Sequence, residues 1–126
     1  MSQSVIPVSS VWVDIANQAT WHANVMVDTS NNPIRGLFYN PATHMVMGFF
    51  RLTSADNGDA PFTINTSQYY PITAMRYPGE CTKDNGQDVD TRFLQMDIAE
   101  DGTTRLNFTQ AVTHYRILCS FVYPCA

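Results

Sequence analysis

The stretch 94–108, LQMDIAEDGTTRLNF, constrains the fold most, because apolar and polar residues alternate on both sides of a glycine-containing turn. Side chains of a β-strand point to opposite faces with a period of two. The apolar residues of the stretch therefore share one face of two neighbouring strands: Leu94, Met96, Ile98, Leu106 and Phe108. The pattern predicts an antiparallel hairpin with one buried face and one solvent-exposed face.

The register of this hairpin follows from the length of its loop. A loop of residues 101–102 would put Ile98 opposite Arg105 and mix apolar and polar side chains on one face. A three-residue loop, 100–102, keeps one face apolar and puts Gly102 at the bulge position that requires a positive φ. The cross-strand pairs that this register predicts are Leu94 with Phe108, Met96 with Leu106, and Asp97 with Arg105.

The composition favours strands over helices throughout the chain. Only 14% of the 126 residues are charged, and β-branched and aromatic residues are common whereas charged helix formers are scarce. A chain of this length can bury about two thirds of its unfolded surface without disulfides or metals. We therefore predict an all-β, antiparallel β-sandwich or jelly-roll-like fold, a single domain over residues 1–126, with residues 1–10 as a candidate docking arm.

Charge and cysteine content argue against several classes of protein. A formal net charge of −4 with a single Lys is unlike a nucleic-acid binder, which usually carries clustered basic residues. The first thirty residues lack both the basic start and the continuous apolar run of a signal peptide, and no run reaches transmembrane length. Three cysteines, an odd number, fit free thiols in a reducing cytoplasm better than a secreted disulfide framework. We expect neither nucleic acid nor a membrane as a partner.

Turn-forming segments divide the chain into nine predicted strands. The turns are TSNNP at 29–33, NPAT at 40–43, SADNGDAP at 54–61 and the long polar PGECTKDNGQDVD at 78–90. The predicted strands are 5–15, 21–28, 34–39, 44–53, 61–66, 70–76, 92–99, 103–108 and 114–123. Short strands separated by such turns are typical of a sandwich or a jelly roll.

Two of these strands carry apolar residues on both faces, which is typical of a strand covered on both sides. They are HMVMGFFRL at 44–52 and YRILCSFVY at 115–123. One cover is the core, and the other is either a thicker monomer core or a neighbouring subunit. We expect a neighbouring subunit, with residues 45–49 and 118–122 at the contact, because small sandwiches seldom cover both faces of a sheet by themselves.

No residue pattern typical of catalysis or of metal binding stands out. The candidate general bases are His22, His44 and His114, but no G-x-S-x-G motif supplies a nucleophile. The spacing of Asp84, Asp88 and Asp90 does not follow that of a calcium loop, and no Cys or His pair has the spacing of zinc ligands. We therefore predict no catalytic residue, metal or cofactor.

A glycan-active enzyme remains the least favoured alternative. Such an enzyme needs two carboxylates about 5 to 10 Å apart across a cleft, whereas the few acidic residues of this chain lie mostly in predicted turns. Four aromatic residues are able to stack on sugar rings, although core or rim packing is the simpler interpretation of each of them: Trp21, Tyr69, Tyr70 and Tyr77.

The order of several short motifs resembles a known family. After Trp21 the chain shows VMGFFRL, PFTI, YYP, FLQMDIAEDGTTRL and YRILCSFVY in that order. This order is similar to that of the C-terminal head domains of tail-fibre and baseplate receptor-binding proteins of tailed bacteriophages. In that family a Gly-containing strand, a Tyr-Pro step, an Asp-Gly-Thr hairpin and a closing Ser-Phe follow one another. The corresponding positions here are Gly48, 70–71, 101–103 and 120–121, and the resemblance spans residues 12–123.

The resemblance implies a β-sandwich that forms a homotrimer and presents loops or grooves to host-surface glycans or proteins. Heads of this family normally follow a long shoulder or stalk, whereas only MSQSVIPVSS stands ahead of the first Trp region here. We therefore expect a virion structural and host-attachment module, made in the host cytoplasm and docked onto other virion proteins. The alternative is a protein that decorates and stabilises a capsid or a tail.

The predicted contact surface is the segment 76–90. Binding residues tend to lie on loops held by a rigid scaffold, and this segment is the longest polar connection in the chain. Within it Arg76 can grip an acidic group, Tyr77 can stack on a sugar ring, and Asp84 and Asp88 can accept hydrogen bonds from sugar hydroxyls. A connecting loop without a ligand, or a contact to a neighbouring virion subunit, is an equally open interpretation of this segment.

Overall fold

A computed structural model describes residues 11–25, 35–53, 55–83, 89–108 and 115–125. Within these residues it contains nine strands and two short 3₁₀ turns, and it is an all-β structure as predicted. The 3₁₀ turns are Ala16–Gln18 and Ser67–Tyr69. The strands are β1 (Val13–Asp14), β2 (Ala19–Trp21), β3 (Gly36–Asn40), β4 (Met45–Leu52), β5 (Phe62–Ile64), β6 (Met75–Lys83), β7 (Val89–Ile98), β8 (Thr104–Phe108) and β9 (Tyr115–Pro124).

The strands form one large and one small antiparallel sheet. The large sheet has seven strands in the order β1-β3-β4-β9-β6-β7-β8, and the small sheet pairs β2 with β5. The last strand, β9, lies in the middle of the large sheet, between the β3–β4 hairpin and the β6–β7–β8 meander. Each pair of neighbouring strands within the described residues is antiparallel. The C-terminal strand therefore joins two locally folded halves into one sheet.

The core lies between the two sheets, on what we call the inner face of the large sheet. Phe62 of the small sheet stacks on Phe121 of β9 with ring centroids 5.2 Å apart, and the Trp21 ring is tilted against Phe62 at 5.4 Å. Gly48 leaves room for the Phe121 ring, because a Cβ at that position would overlap the ring. Fully buried side chains on the inner face come from nearly every strand: Leu37, Val46, Phe50, Met96, Leu106, Ile117 and Tyr123.

The predicted hairpin register is confirmed. Strands β7 and β8 pair Leu94 with Phe108, Met96 with Leu106 and Asp97 with Arg105, and Gly102 has a φ of 83°. The loop closes through a hydrogen bond from the Ala99 N–H to the Thr103 carbonyl. The Asp101 carboxylate accepts hydrogen bonds from the hydroxyl and the N–H of Thr103, which lowers the pKa of Asp101. A three-residue loop with a left-handed glycine therefore ends this part of the sheet.

The predicted loop at 78–90 is wrong for most of its described length. Strand β6 runs to Lys83 and β7 begins at Val89, whereas residues 84–88 lie outside the described residues. Pro78 and Gly79 are poor strand formers, but β6 pairs on one side with β7 and on the other with β9, with a register shift between Gly79 and Cys81. Backbone pairing with β7 and β9 therefore outweighs the low strand propensity of this segment.

The first two predicted strands are much shorter in their described parts. Among the described residues of the predicted strand 5–15 only Val13–Asp14 is a strand, and the Asp14 carboxylate accepts a hydrogen bond from the Ala16 N–H, where the 3₁₀ turn Ala16–Gln18 begins. Similarly, the His22 Nδ1 accepts the Asn24 N–H and the chain turns away after Trp21. The predicted strand 70–76 is also misplaced, because the regular pairing begins only at Met75. Around Asp14 and His22 a side-chain hydrogen bond competes with the ladder.

Candidate docking surface

The outer face of the large sheet, opposite the core, divides into two regions of different chemistry. The apolar half comprises the outward residues of β3, β4 and β9, and the polar half comprises those of β6, β7 and β8. The apolar half contains Phe38, Met45, Met47, Phe49, Leu118 and Val122. The polar half contains Arg76, Gln95, Asp97, Arg105 and Asn107. Along each strand these outward residues alternate with residues that point to the inner face.

Cross-strand pairing arranges the apolar half in rows. Asp14 pairs with Phe38, Phe38 with Met47, and Met47 with Val122, which makes one row across four strands. Met47 is 36% exposed and Val122 is 47% exposed. In the next row the rings of Phe38 and Phe49 lie against Gly36 and fill the space that a Cβ would take. The prediction that these strands are apolar on both faces is confirmed, and the small sheet covers only the inner face.

A separate run of exposed apolar residues lies at the edge strand. Val11, Trp12 and Val13 are consecutive, and each is more than a third exposed. Strand β1 spans two residues at the end of the large sheet. A short edge strand limits unwanted pairing with other sheets, but three consecutive exposed apolar residues are unusual unless they have a function.

The polar half is held by hydrogen bonds among its own side chains. The Arg76 Nε donates to Asp97 Oδ1 at 2.6 Å and its Nη2 donates to Asp97 Oδ2 at 3.2 Å. The same Asp97 Oδ2 accepts from Asn107 Nδ2 at 2.7 Å, and Asn107 Oδ1 accepts from Arg105 Nε at 3.0 Å. These four residues form a polar network over three adjacent strands. The hydrogen bond from Arg76 and its charge lower the pKa of Asp97, and Asp97 raises the pKa of Arg76.

Tyr77 lies at the seam between the two halves. The ladder between β6 and β9 ends at the pair Gly79 and Cys119, where Pro78 follows without an N–H to donate. One residue further, the Tyr77 hydroxyl donates a hydrogen bond of 2.6 Å to the Val122 carbonyl. Burial, and secondarily the neighbouring Cys119, raises the pKa of Tyr77. Tyr77 therefore connects the two halves below the point where the regular pairing stops.

Two of the four predicted binding residues, Arg76 and Tyr77, lie on opposite faces of the large sheet. Arg76 points outward and Tyr77 points inward, opposite Met96, because successive residues of a strand face opposite ways. Arg76 is bonded to Asp97 and Tyr77 to a backbone carbonyl, so both side chains have structural roles. Asp84 and Asp88 lie outside the described residues.

The aromatic residues that were considered for sugar stacking pack against the fold. The Trp21 Nε1 donates to the Ala16 carbonyl, and the Arg35 guanidinium lies 5.3 Å from the Trp21 ring. Tyr69 meets Tyr39 edge to face at 5.0 Å. The Tyr70 ring lies beside Gly102, where a Cβ would approach it to 2.7 Å. These rings therefore serve the packing of the fold.

His22, Cys119 and Cys125 are each held in the fold. His22 Nε2 lies 3.4 Å from Asp59 Oδ2, while its Nδ1 accepts the Asn24 N–H, so the ring is tied on both sides. Cys119 and Cys125 are free and buried. Burial raises the pKa of Cys119 to about 12 and also raises that of Cys125. A buried thiol with a raised pKa is a poor nucleophile. His114 lies outside the described residues.

Sequence reasoning missed two charged residues of the outer face. Arg51 pairs with Leu118, and Leu118 pairs with Glu80 on the other side. The Arg51 Nε is buried and has no hydrogen-bond partner among the described residues. The signal for Arg51 was its place at the end of MVMGFF, on the same face as Met47 and Phe49.

Among the described residues, no three His, Cys, Asp or Glu side chains are grouped so that they could hold a metal ion. In that part of the chain no helix has the length and apolar character needed to cross a membrane. No protein-family model, curated protein or solved structure matches this chain.

Proposed function

We propose that this chain is a virion structural and host-attachment module of a tailed bacteriophage, and that it acts by docking through the apolar half of its outer face. The virion setting comes from the resemblance of its motif order to tail-fibre and baseplate head domains. The docking role is supported by one observation, the apolar row on β3, β4 and β9 in which Phe38 is half-buried and Met47 and Val122 are exposed.

Exposing this apolar row to water is unfavourable for an isolated chain. Scattered apolar residues are normal on protein surfaces, but contiguous apolar patches usually mark contacts with other macromolecules. Removing apolar surface from water yields about 25 cal/mol per Å². Met47 and Val122 are the exposed apolar side chains of the row. A neighbouring virion protein or a second subunit that covers the row would gain this free energy.

The position of Arg76 and Tyr77 favours the structural part of the role over the attachment part. Both side chains already bond within the fold, whereas the apolar row has no comparable partner among the described residues. A protein that decorates a capsid or tail would use the same apolar half as a clamp onto shell subunits. Host attachment through Arg76, Tyr77, Asp84 and Asp88 is the second part of the proposal.

Particles that carry single variants separate the two parts. Met47→Lys and Val122→Lys place a charge in the apolar row, and Gln95→Lys places the same charge in the polar half. We expect the first two to reduce incorporation into particles and Gln95→Lys to leave it unchanged, with all three purified chains folded by circular dichroism. Equal incorporation of all three variants would contradict docking through the apolar half.

Host adsorption of complete particles tests the attachment part. Arg76→Ala and Tyr77→Phe are the variants, and incorporation into particles is measured alongside adsorption. Loss of adsorption with normal incorporation supports attachment through this segment. Unchanged adsorption with unstable particles supports decoration, because the residues would then serve only the particle.

A further inference from the structure

The row through Met47 is complementary to itself. It reads Asp14, Phe38, Met47 and Val122 on β1, β3, β4 and β9. Extending the β6–β9 register from Gly79 and Cys119 places Arg76 on the other side of Val122, at the level where Tyr77 reaches the Val122 carbonyl. The row therefore has a negative end, three apolar residues and a positive end, with Met47 at its centre.

We infer that the docking surface of the proposed function accepts a second copy of this chain, packed face to face about a two-fold axis that runs along β4. An axis in the plane of the interface exchanges the strands on either side of β4. Met47 then meets Met47 of the partner subunit, and Phe38 lies over the partner's Val122. Asp14 of each copy lies over the partner's Arg76.

The dimensions of packed sheets suit these contacts. Neighbouring strands are about 4.8 Å apart, so Asp14 and Arg76 each lie roughly 10 Å from the axis, on opposite sides. Sheets that pack face to face are about 10 Å apart, a gap that an Arg and an Asp side chain can span together. An axis along β4 leaves the two β4 strands parallel, which lies within the range of about 30° that aligned sheet packing allows.

The charged ends of the row are available for this pairing. Asp14 is exposed, and its carboxylate bonds only to the Ala16 N–H among the described residues. The Arg76 side chain is 59% exposed although it bonds to Asp97, and a guanidinium has further N–H donors to offer. Because the dimer is symmetric, the pair of Asp14 and the partner's Arg76 forms twice. The two charged pairs set the alignment of the apolar surfaces between them.

Two rows away, Arg51 lies on the same axis, so the guanidinium groups of the two copies approach each other there. Glu80 lies two strands from Arg51 in the same row, and it is exposed and forms no hydrogen bond or ion pair with a described residue. Each Arg51 can extend to a Glu80 of either copy. This arrangement gives the buried Arg51 Nε a polar surrounding that the single chain lacks among its described residues.

The size of the surface indicates a weak, reversible dimer. Five strands and about six residues along each give a projected area of roughly 500 Å², below the ~800 Å² per partner of a standard interface. The homotrimer expected from the resemblance is a different arrangement, because a three-fold contact joins two different patches. Sedimentation therefore distinguishes the two assemblies by mass.

Complementary charge reversals test the pairing. Asp14→Lys alone places two like-charged pairs in the interface. Arg76→Glu does the same, and it is made in an Asp97→Asn background so that no new repulsion arises between positions 76 and 97 of one chain. Mixed one to one, the two variants restore attractive pairs in a heterodimer. Asp97→Asn alone and Gln95→Lys are the matched controls, and Asp14→Asn keeps a hydrogen-bond acceptor for the Ala16 N–H in case Asp14→Lys does not fold.

Sedimentation velocity from about 1 to about 100 μM provides the readout, a range in which weak interfaces dissociate. We expect the wild-type chain to dimerise, each reversal to weaken dimerisation on the order of tenfold or more, and the mixture to recover it. A wild-type monomer or trimer at the highest concentration, or folded reversals that stay monomeric when mixed, would overturn the inference. A monomeric wild type whose Val122→Lys variant still loses incorporation into particles would overturn the dimer and leave the docking proposal standing.

Discussion

The two halves of the large sheet are alike on the inner side and differ on the outer side. On the inner side both halves bury apolar residues, such as Leu37 in one and Leu106 in the other, each with no exposed surface. On the outer side the polar half forms a bonded network around Asp97. The apolar half instead exposes Met47 and Val122.

The inner side of the sheet is needed for folding, whereas the outer side differs in ways that folding alone does not require. The inner pattern is needed by any sandwich, because it supplies the apolar burial that offsets chain entropy. The network around Asp97 is complete in a single chain, since its charged groups already have partners. The apolar half leaves Met47 and Val122 exposed in a single chain, and in the proposed function another surface covers them.

The largest expected effects are on the inner face, where the two halves should behave alike. Leu37→Ala and Leu106→Ala each remove a fully buried side chain, and each should lower the free energy of unfolding by about 2–5 kcal/mol. Urea denaturation measures both. If only one of them destabilised the chain, the two halves would not share a single core.

Gly102→Ala should be the next largest effect. A left-handed residue with a Cβ costs about 1–2 kcal/mol, and at Gly102 the added Cβ would also lie 2.7 Å from the Ile64 carbonyl oxygen. The matched control is Gly58→Ala, because Gly58 also has a positive φ but its Cβ would meet only the end of the Arg105 side chain at 3.4 Å. Thermal unfolding should give Gly102→Ala a lower melting temperature than Gly58→Ala. A lower melting temperature for Gly58→Ala would contradict the described loop.

Tyr77→Phe should weaken the seam between the halves. It removes the hydrogen bond to the Val122 carbonyl without changing the ring, and a bond of this kind contributes about 0.5–1.5 kcal/mol. Hydrogen exchange should show faster opening where β6 and β9 diverge. Exchange that is unchanged at this seam would mean that the halves are joined by the regular ladder alone.

The smallest expected effect is the pH dependence of the polar half. Because the Arg76 hydrogen bond lowers the pKa of Asp97 below its usual 3.8, the carboxylate stabilises the fold fully above that value. This stabilisation is lost as the pH falls through the lowered pKa. Asp97→Asn should therefore differ most from the wild type near neutral pH, and the difference should shrink in acid. A difference that grows in acid would contradict the assignment.

Sequence reasoning predicted best where the decisive contacts are local. The hairpin register followed from alternation over residues 94–108 and one glycine, and β7 and β8 pair as expected. The apolar character of both faces of β4 was also readable from MVMGFF. In both cases the side chains of one strand alternate between two faces, so a period of two is enough to assign them.

The rest depended on partners far apart in sequence. Strand β6 contains Pro78 and Gly79, and it is a strand because β7 and β9 flank it. The prediction of a loop there placed Arg76 and Tyr77 together at a binding site, whereas the strand places them on opposite faces. The row through Met47 joins four strands whose order no local pattern reveals.

Hydroxyl-radical footprinting of Met47 tests the central claim most directly. The side chain is exposed in the single chain, so dilute monomer should be oxidised readily at Met47, and Arg105 on the polar half gives the reference reactivity. In assembled particles the account predicts strong protection of Met47 with little change at Arg105. Equal oxidation of Met47 in monomer and particles, with protection confined to the polar half, would contradict docking through the apolar half.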